Sequence, residues 1–153
     1  MAIINNKNIL TLHDNEVFVF GSNRAGIHGA GAALHAARHF KAVHGVGEGL
    51  TGFSYALPTK RADFTVCSLK EISWSLKCLK ECAEENYMFT FFLTRIGQGY
   101  AGIPEKDIKN LVIQTNFPDN VLPWWIWENV NGEFKKENLN VNLELLDVRQ
   151  HRI

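Results

Sequence analysis

Residues 17–40 decide the fold, reading VFVFGSN at 17–23, RAGI at 24–27 and HGAGAALHAARHF at 28–40. Val17–Phe20 is a short run of apolar, β-favouring residues ended by Gly21, the pattern of a buried strand. From Gly29 onward Ala30, Ala33, Leu34 and Ala37 recur at helical spacing, with Phe40 one turn further along, so a helix follows. A strand, a glycine-rich turn and a helix in succession is the building unit of an α/β domain.

The same succession recurs downstream. Tyr87–Thr94 (YMFTFFLT) is almost wholly apolar and aromatic, as expected of a strand covered on both faces. It runs into Ile96-Gly-Gln-Gly-Tyr-Ala-Gly102, after which Pro104, Glu105 and Asp107 open a helix with an early proline and acidic residues suited to its positive end. Between the two units, four glycines at 45–52 precede a short strand at Phe53–Leu57. Ser68-Leu-Lys-Glu71 is a capping box, because serine oxygen and glutamate carboxylate each satisfy an orphan first-turn N–H. Leu69, Ile72, Leu76, Leu79 and Ala83 carry that helix's apolar face. Val121–Leu122 supplies another short strand. Trp124, Trp125 and Trp127 with the Asn131-Gly132 turn signal predict a hairpin, and Leu139, Val141, Leu143 and Leu145 alternate like a terminal strand.

At 153 residues the chain has the length of one domain with a single core. Sixteen basic residues balance sixteen acidic ones without a Lys/Arg run, so no electrostatic footprint for bulk nucleic acid is present. The first twenty residues lack the basic start and apolar stretch of a signal peptide, and no run reaches membrane-spanning length, which predicts a cytoplasmic protein. Cys78 and Cys82 share a helical face, but no second Cys/His pair completes a zinc site, and reduced thiols are expected. His35, His39 and His44 lack an acidic or cysteine partner, so neither a metal nor a cofactor is called for.

Eleven of the twelve glycines lie at 21–31, 45–52 and 97–102. Glycine weakens regular elements and is useful where backbone turns sharply or approaches something closely. Backbone N–H groups in such turns, at a helix's positive end, hold phosphate, and α/β sheets bind ligands at the carboxyl ends of their strands. Gly97-x-Gly99-x-x-Gly102 matches a dinucleotide fingerprint literally, but no acidic residue ends the next strand to receive a ribose, which disfavours a dinucleotide oxidoreductase. Neither loop ends in the Lys-Ser/Thr of a Walker loop.

With FGSN and GAGAA at 20–33, SYALPTK at 54–60 and TRIGQGYAGIP at 94–104, the chain over about residues 17–122 resembles the macro domain, most closely a phage-associated group of macro-like proteins. The resemblance implies a three-layer α/β/α domain with a central mixed sheet, residues 123–153 forming an extension, and an ADP-ribose-type ligand across a crevice. It implies that Gly21, Ser22 and Asn23 form a ribose loop, with Asn23 on the distal ribose. Gly29, Ala30 and Gly31 would approach sugar or phosphate, while Gly97, Gln98, Gly99, Tyr100, Ala101 and Gly102 would wrap the diphosphate. The chain departs from the pattern in lacking a clear match for the acidic residue that receives the adenine amine; Asp14 is the nearest substitute.

Each side chain near the loops has two readings. Asn23 can orient a ribose hydroxyl or water, or bond its own turn. His28 can act as acid or base, or face solvent. Glu48 can activate water, or keep a mobile loop soluble. Arg95 can pair with phosphate or with a neighbouring carboxylate, and Tyr100 can cover a ligand or pack on the next helix. The three clustered tryptophans suit a core with a self-association or lid surface better than base stacking. Two functions follow: an ADP-ribosylhydrolase using Asn23, His28 and Glu48, or a non-catalytic module that sequesters a nucleotide signal, as a phage anti-defence protein would.

Overall fold

The computed structural model describes residues 2–134. In chain order the elements are β1 (Ile3–Asn5), β2 (Asn8–Thr11), β3 (Glu16–Asn23), α1 (Gly31–His39), β4 (Gly49–Thr51), β5 (Ser54–Lys60), α2 (Leu69–Glu85), β6 (Thr90–Leu93), α3 (Glu105–Thr115), β7 (Val121–Pro123), α4 (Trp124–Trp127) and β8 (Gly132–Glu133). They build a mixed five-stranded sheet of order β4-β5-β3-β6-β7 and a three-stranded sheet of order β2-β1-β8. In the large sheet β5, β3, β6 and β7 are parallel and only the edge strand β4 is antiparallel. The expected α/β layering with a central mixed sheet is present.

Strand β3 is central and buried along almost its whole length, as its uninterrupted apolar run requires. Phe18 and Phe20 point to the face covered by α1, where the Phe18 ring lies 4.9 Å from that of Phe40. Right-handed crossovers put α2 and α3 on the other face, and these two helices pack together. The capping box at Ser68 forms as its spacing predicts, with Ser68 Oγ accepting from the Glu71 N–H and Glu71 Oε1 accepting from the Ser68 N–H, each at 3.1 Å. Ile72, Leu76, Leu79 and Ala83 are fully buried, each large side chain contributing about 2 kcal/mol; Leu69, in the first turn, stays exposed.

Three expectations change. The 124–127 segment is a helical turn, not a strand of a hairpin. Pro123 presets its entry, and the i, i+3 spacing lets Trp124 and Trp127 both point inward, which a strand could not do. Gly132 does open a strand, but β8 pairs with β1 at the chain's other end. The buried core also takes in Ala2, Ile4, Ile9, Trp124, Trp127 and Phe134. Finally, β6 begins only at Thr90, and Tyr87 and Met88 are exposed in the preceding turn. The alternating run at 139–145 lies outside the described residues. Among the described residues no helix is long and apolar enough to cross a membrane.

Candidate functional site

From β3 the chain leaves through α1 towards β5, on one side; from β6 it leaves through α3 towards β7, on the other. Neighbouring parallel strands whose connections diverge open a crevice beyond their carboxyl ends. A cleft of about 490 Å³ lies there, between the β3–α1 loop, the end of β5 and the β6–α3 loop. Gly21 is where the three meet. A Cβ on Gly21 would come within 3.3 Å of the Gly97 nitrogen, 3.4 Å of Thr59 Oγ1 and 3.6 Å of the Ile96 Cα, so glycine lets the loops close on the strand.

Two stretches of backbone whose N–H groups lack partners line this cleft. Helix α1 begins in it without a side-chain cap and without an acidic residue in its first turn. Its first amides therefore lack an intrahelical partner. The β6–α3 loop closes through Ile103 N–H to Gly97 O at 2.8 Å and Gly102 N–H to Gly99 O at 3.0 Å. The amides of Gly99, Tyr100 and Ala101 between them donate to no acceptor among the described residues. Lys60, half-buried at the end of β5, adds a cation whose Nζ stands 5.9 Å from the Tyr100 ring centroid. Among the described residues no carboxylate and no imidazole lines the cleft.

The structure brings Gly21, Ser22, Asn23, Gly29, Ala30, Gly31, Arg95, Gly97, Gly99, Tyr100 and Ala101 together at this cleft. Gln98 and Gly102 belong to the same loop without lining it. Of the three side chains expected to do chemistry, Asn23 lines the cleft, whereas His28 and Glu48 do not. Asn23 binds its own loop, donating from Nδ2 to Ile27 O at 2.8 Å and accepting the Ile27 N–H at 3.1 Å. His28 is fully buried under that loop, its ring 3.1 Å from Val43 O and edge-on to Phe20. Glu48 pairs with Arg24 at 3.2 Å, outside the lining. Asp14, in the turn before β3, sits at the opposite end of that strand, roughly 25 Å away along it. Arg95 takes its carboxylate reading, with Nε on both Glu128 oxygens at 2.7 and 2.8 Å and Nη1 on Glu105 at 2.7 Å.

In the 45–52 segment Gly47 and Gly52 are explained by close backbone packing, and Gly45 and Gly49 by left-handed backbone. A Cβ on Gly47 would lie 2.5 Å from Asn23 O, so this loop serves as the floor on which the 21–31 loop rests. His28 fastens the two together. Burial pushes its pKa below the ordinary value, with the nearby His44 acting in the same direction. The unfolded chain takes up this proton near pH 6.5 while the folded loop resists it, so stability is complete above that pH and declines as pH falls below it. Urea midpoints are expected to drop between pH 7.5 and pH 5.5, and to drop less in His28→Gln, whose amide can still donate to Val43 O. An identical pH slope in both proteins would count against His28 as the fastener.

Lys60, Phe64, Thr59 and Ile27 also line the cleft and were not singled out by the sequence. The SYALPTK block placed Lys60 at a strand's carboxyl end, which is the one signal that could have marked it. Phe64 comes from a turn tied to the start of α2, where the Arg61 guanidinium holds the Glu71 carboxyl down to about 2.

No family model matches the chain, and no curated protein matches it. A solved structure of a protein of unknown function from Bacteroides thetaiotaomicron superposes with a TM-score of 0.54 at 13% identity, over 71% of this chain and 84% of that one. That likeness is one of fold alone.

Proposed function

We propose that the cleft binds a nucleotide of the ADP-ribose class, in the manner of the macro-like proteins the sequence resembles, and holds it without cleaving it. One observation carries the reading: two loops of unpartnered amides meet Lys60 at the crevice between β3 and β6, and among the described residues no carboxylate lines it. Positive helix-end and loop dipoles beside a lysine suit a diphosphate, which would be repelled by acidic neighbours. Holding is favoured over hydrolysis because Asn23 is committed to Ile27, His28 is buried and Glu48 is paired elsewhere. Hydrolysis at an anomeric carbon needs a base or a positioned water, and among the described residues the lining holds no carboxylate or imidazole.

Calorimetry with ADP-ribose is expected to show one site per chain. Lys60→Ala should weaken it by about tenfold, the equivalent of roughly 1.4 kcal/mol for one partly exposed charge on a phosphate. No heat at millimolar ADP-ribose would overturn the reading. Incubation with an ADP-ribosylated protein should release no free ADP-ribose; release abolished by Asn23→Ala would replace holding with hydrolysis.

A further inference from the structure

The residues after β5 form a tight hairpin turn. The Phe64 N–H donates to Arg61 O at 2.9 Å and the Arg61 N–H to Thr65 O at 2.8 Å, while Lys60 and Val66 pair antiparallel. A turn of this shape needs its last loop residue in the left-handed region, the place that glycine or asparagine ordinarily fills. Here that residue is phenylalanine, at φ 69°. Its ring is half exposed, does not belong to the core cluster, and lines the cleft. The turn is secured without it: Asp63 Oδ1 accepts the Thr65 N–H at 3.0 Å, and Arg61 forks onto Glu71 at the start of α2. A bulky residue in a backbone state it disfavours, with its apolar face in water at the rim of a cleft, is unexplained by folding.

We infer that Phe64 is the stacking face for the nucleobase of the bound ligand, so that the cleft selects nucleotides over base-free phosphates. The inference rests on the nucleotide-binding reading above. Aromatic faces stack on any base, and a rigid turn presents the ring without an ordering cost at binding. Lys60, at the foot of the same hairpin, lines the cleft with that ring and with the β6–α3 loop, its Nζ 5.9 Å from the Tyr100 ring centroid. A base on Phe64 therefore leaves its phosphates at the lysine and the glycine loop. The Tyr100 ring also lines the cleft at the start of α1, 3.7 Å from where a Cβ on Gly31 would lie.

The experiment compares wild type, Phe64→Gly and Phe64→Trp for binding of ADP-ribose and of inorganic pyrophosphate, with thermal unfolding of each. Phe64→Gly should lose on the order of tenfold in ADP-ribose affinity, hold pyrophosphate as wild type does, and melt no lower than wild type because glycine relieves the strained turn. Phe64→Trp should retain ADP-ribose binding, and its added indole fluorescence should be quenched by the nucleotide and not by pyrophosphate. Equal weakening of both ligands in Phe64→Gly, no weakening of either, or a melting temperature lowered by several degrees would overturn the stacking role while leaving the nucleotide reading intact. Failure of wild type to bind ADP-ribose would overturn both.

Discussion

Gly26→Ala is expected to lower the unfolding free energy by about 2–5 kcal/mol. Gly26 sits at φ 73°, where an L side chain is strained by about 1–2 kcal/mol. Its Cβ would also fall 2.7 Å from the Val46 nitrogen, against backbone that cannot yield as a flexible side chain would. The Gly45–Gly47 segment has no room to retreat, because Gly45 N–H donates to Gly26 O at 2.8 Å and Gly47 O accepts the Ser22 hydroxyl. Overpacking of this kind costs about 1–3 kcal/mol more. Two other glycines separate the contributions. Gly45→Ala, at φ 98° in open space, should cost only the strain, about 1–2 kcal/mol. Gly29→Ala meets nothing within 4 Å and needs no left-handed backbone, so its stability should stay within about 0.5 kcal/mol of wild type. Urea denaturation at pH 7.5 orders the three, and equal costs for Gly26→Ala and Gly45→Ala would show that the floor loop does move.

What the sequence made legible follows the strength of its local signals. The VFVFG run, the Ser68–Glu71 box and the Pro104–Asp107 start each combine pattern with a capping or turn residue, and each element forms there. The β1–β2 hairpin was illegible because its two-residue turn is Asn6-Lys7, both left-handed, and lysine lacks the glycine signature of such turns. The tryptophan cluster misled because aromatic density favours strands, whereas a single helical turn after Pro123 buries two indoles and lets Trp127 Nε1 reach Leu93 O at 2.9 Å.

At the site, glycine spacing located both loops, since positive φ and close approach leave their mark in residue type. Side-chain commitment leaves none. Whether Asn23 faces outward or bonds Ile27, and whether His28 points to solvent or inward to Val43, depends on contacts made by residues four to fifteen positions away. Phe64 was hidden for the opposite reason: it contradicts the propensity of its own turn, and such contradictions gather at functional positions.

Arg95→Ala is expected to cost about 3–5 kcal/mol, more than removal of its partner. The asymmetry follows from burial. The Glu128 side chain is 6% exposed and that of Arg95 43%. Losing the guanidinium strands a buried carboxylate; losing the carboxylate leaves a cation that reaches water and still holds Glu105 at 2.7 Å. Glu128→Ala should therefore cost about 1.5–3 kcal/mol, the range for a hydrogen bond to a charged group. Glu105 in turn accepts from Trp124 Nε1 at 3.2 Å, so the arginine ties the β6–α3 loop to both α3 and α4. Replacing the pair by apolar groups, Arg95→Met with Glu128→Leu, should recover most of the loss, because no uncompensated charge remains inside. If the arginine served chiefly as a phosphate ligand, Arg95→Ala would leave the urea midpoint near that of wild type and weaken ADP-ribose alone. A fall in stability larger than that of Glu128→Ala, with the double variant restored, instead identifies Arg95 as the brace that positions the β6–α3 loop.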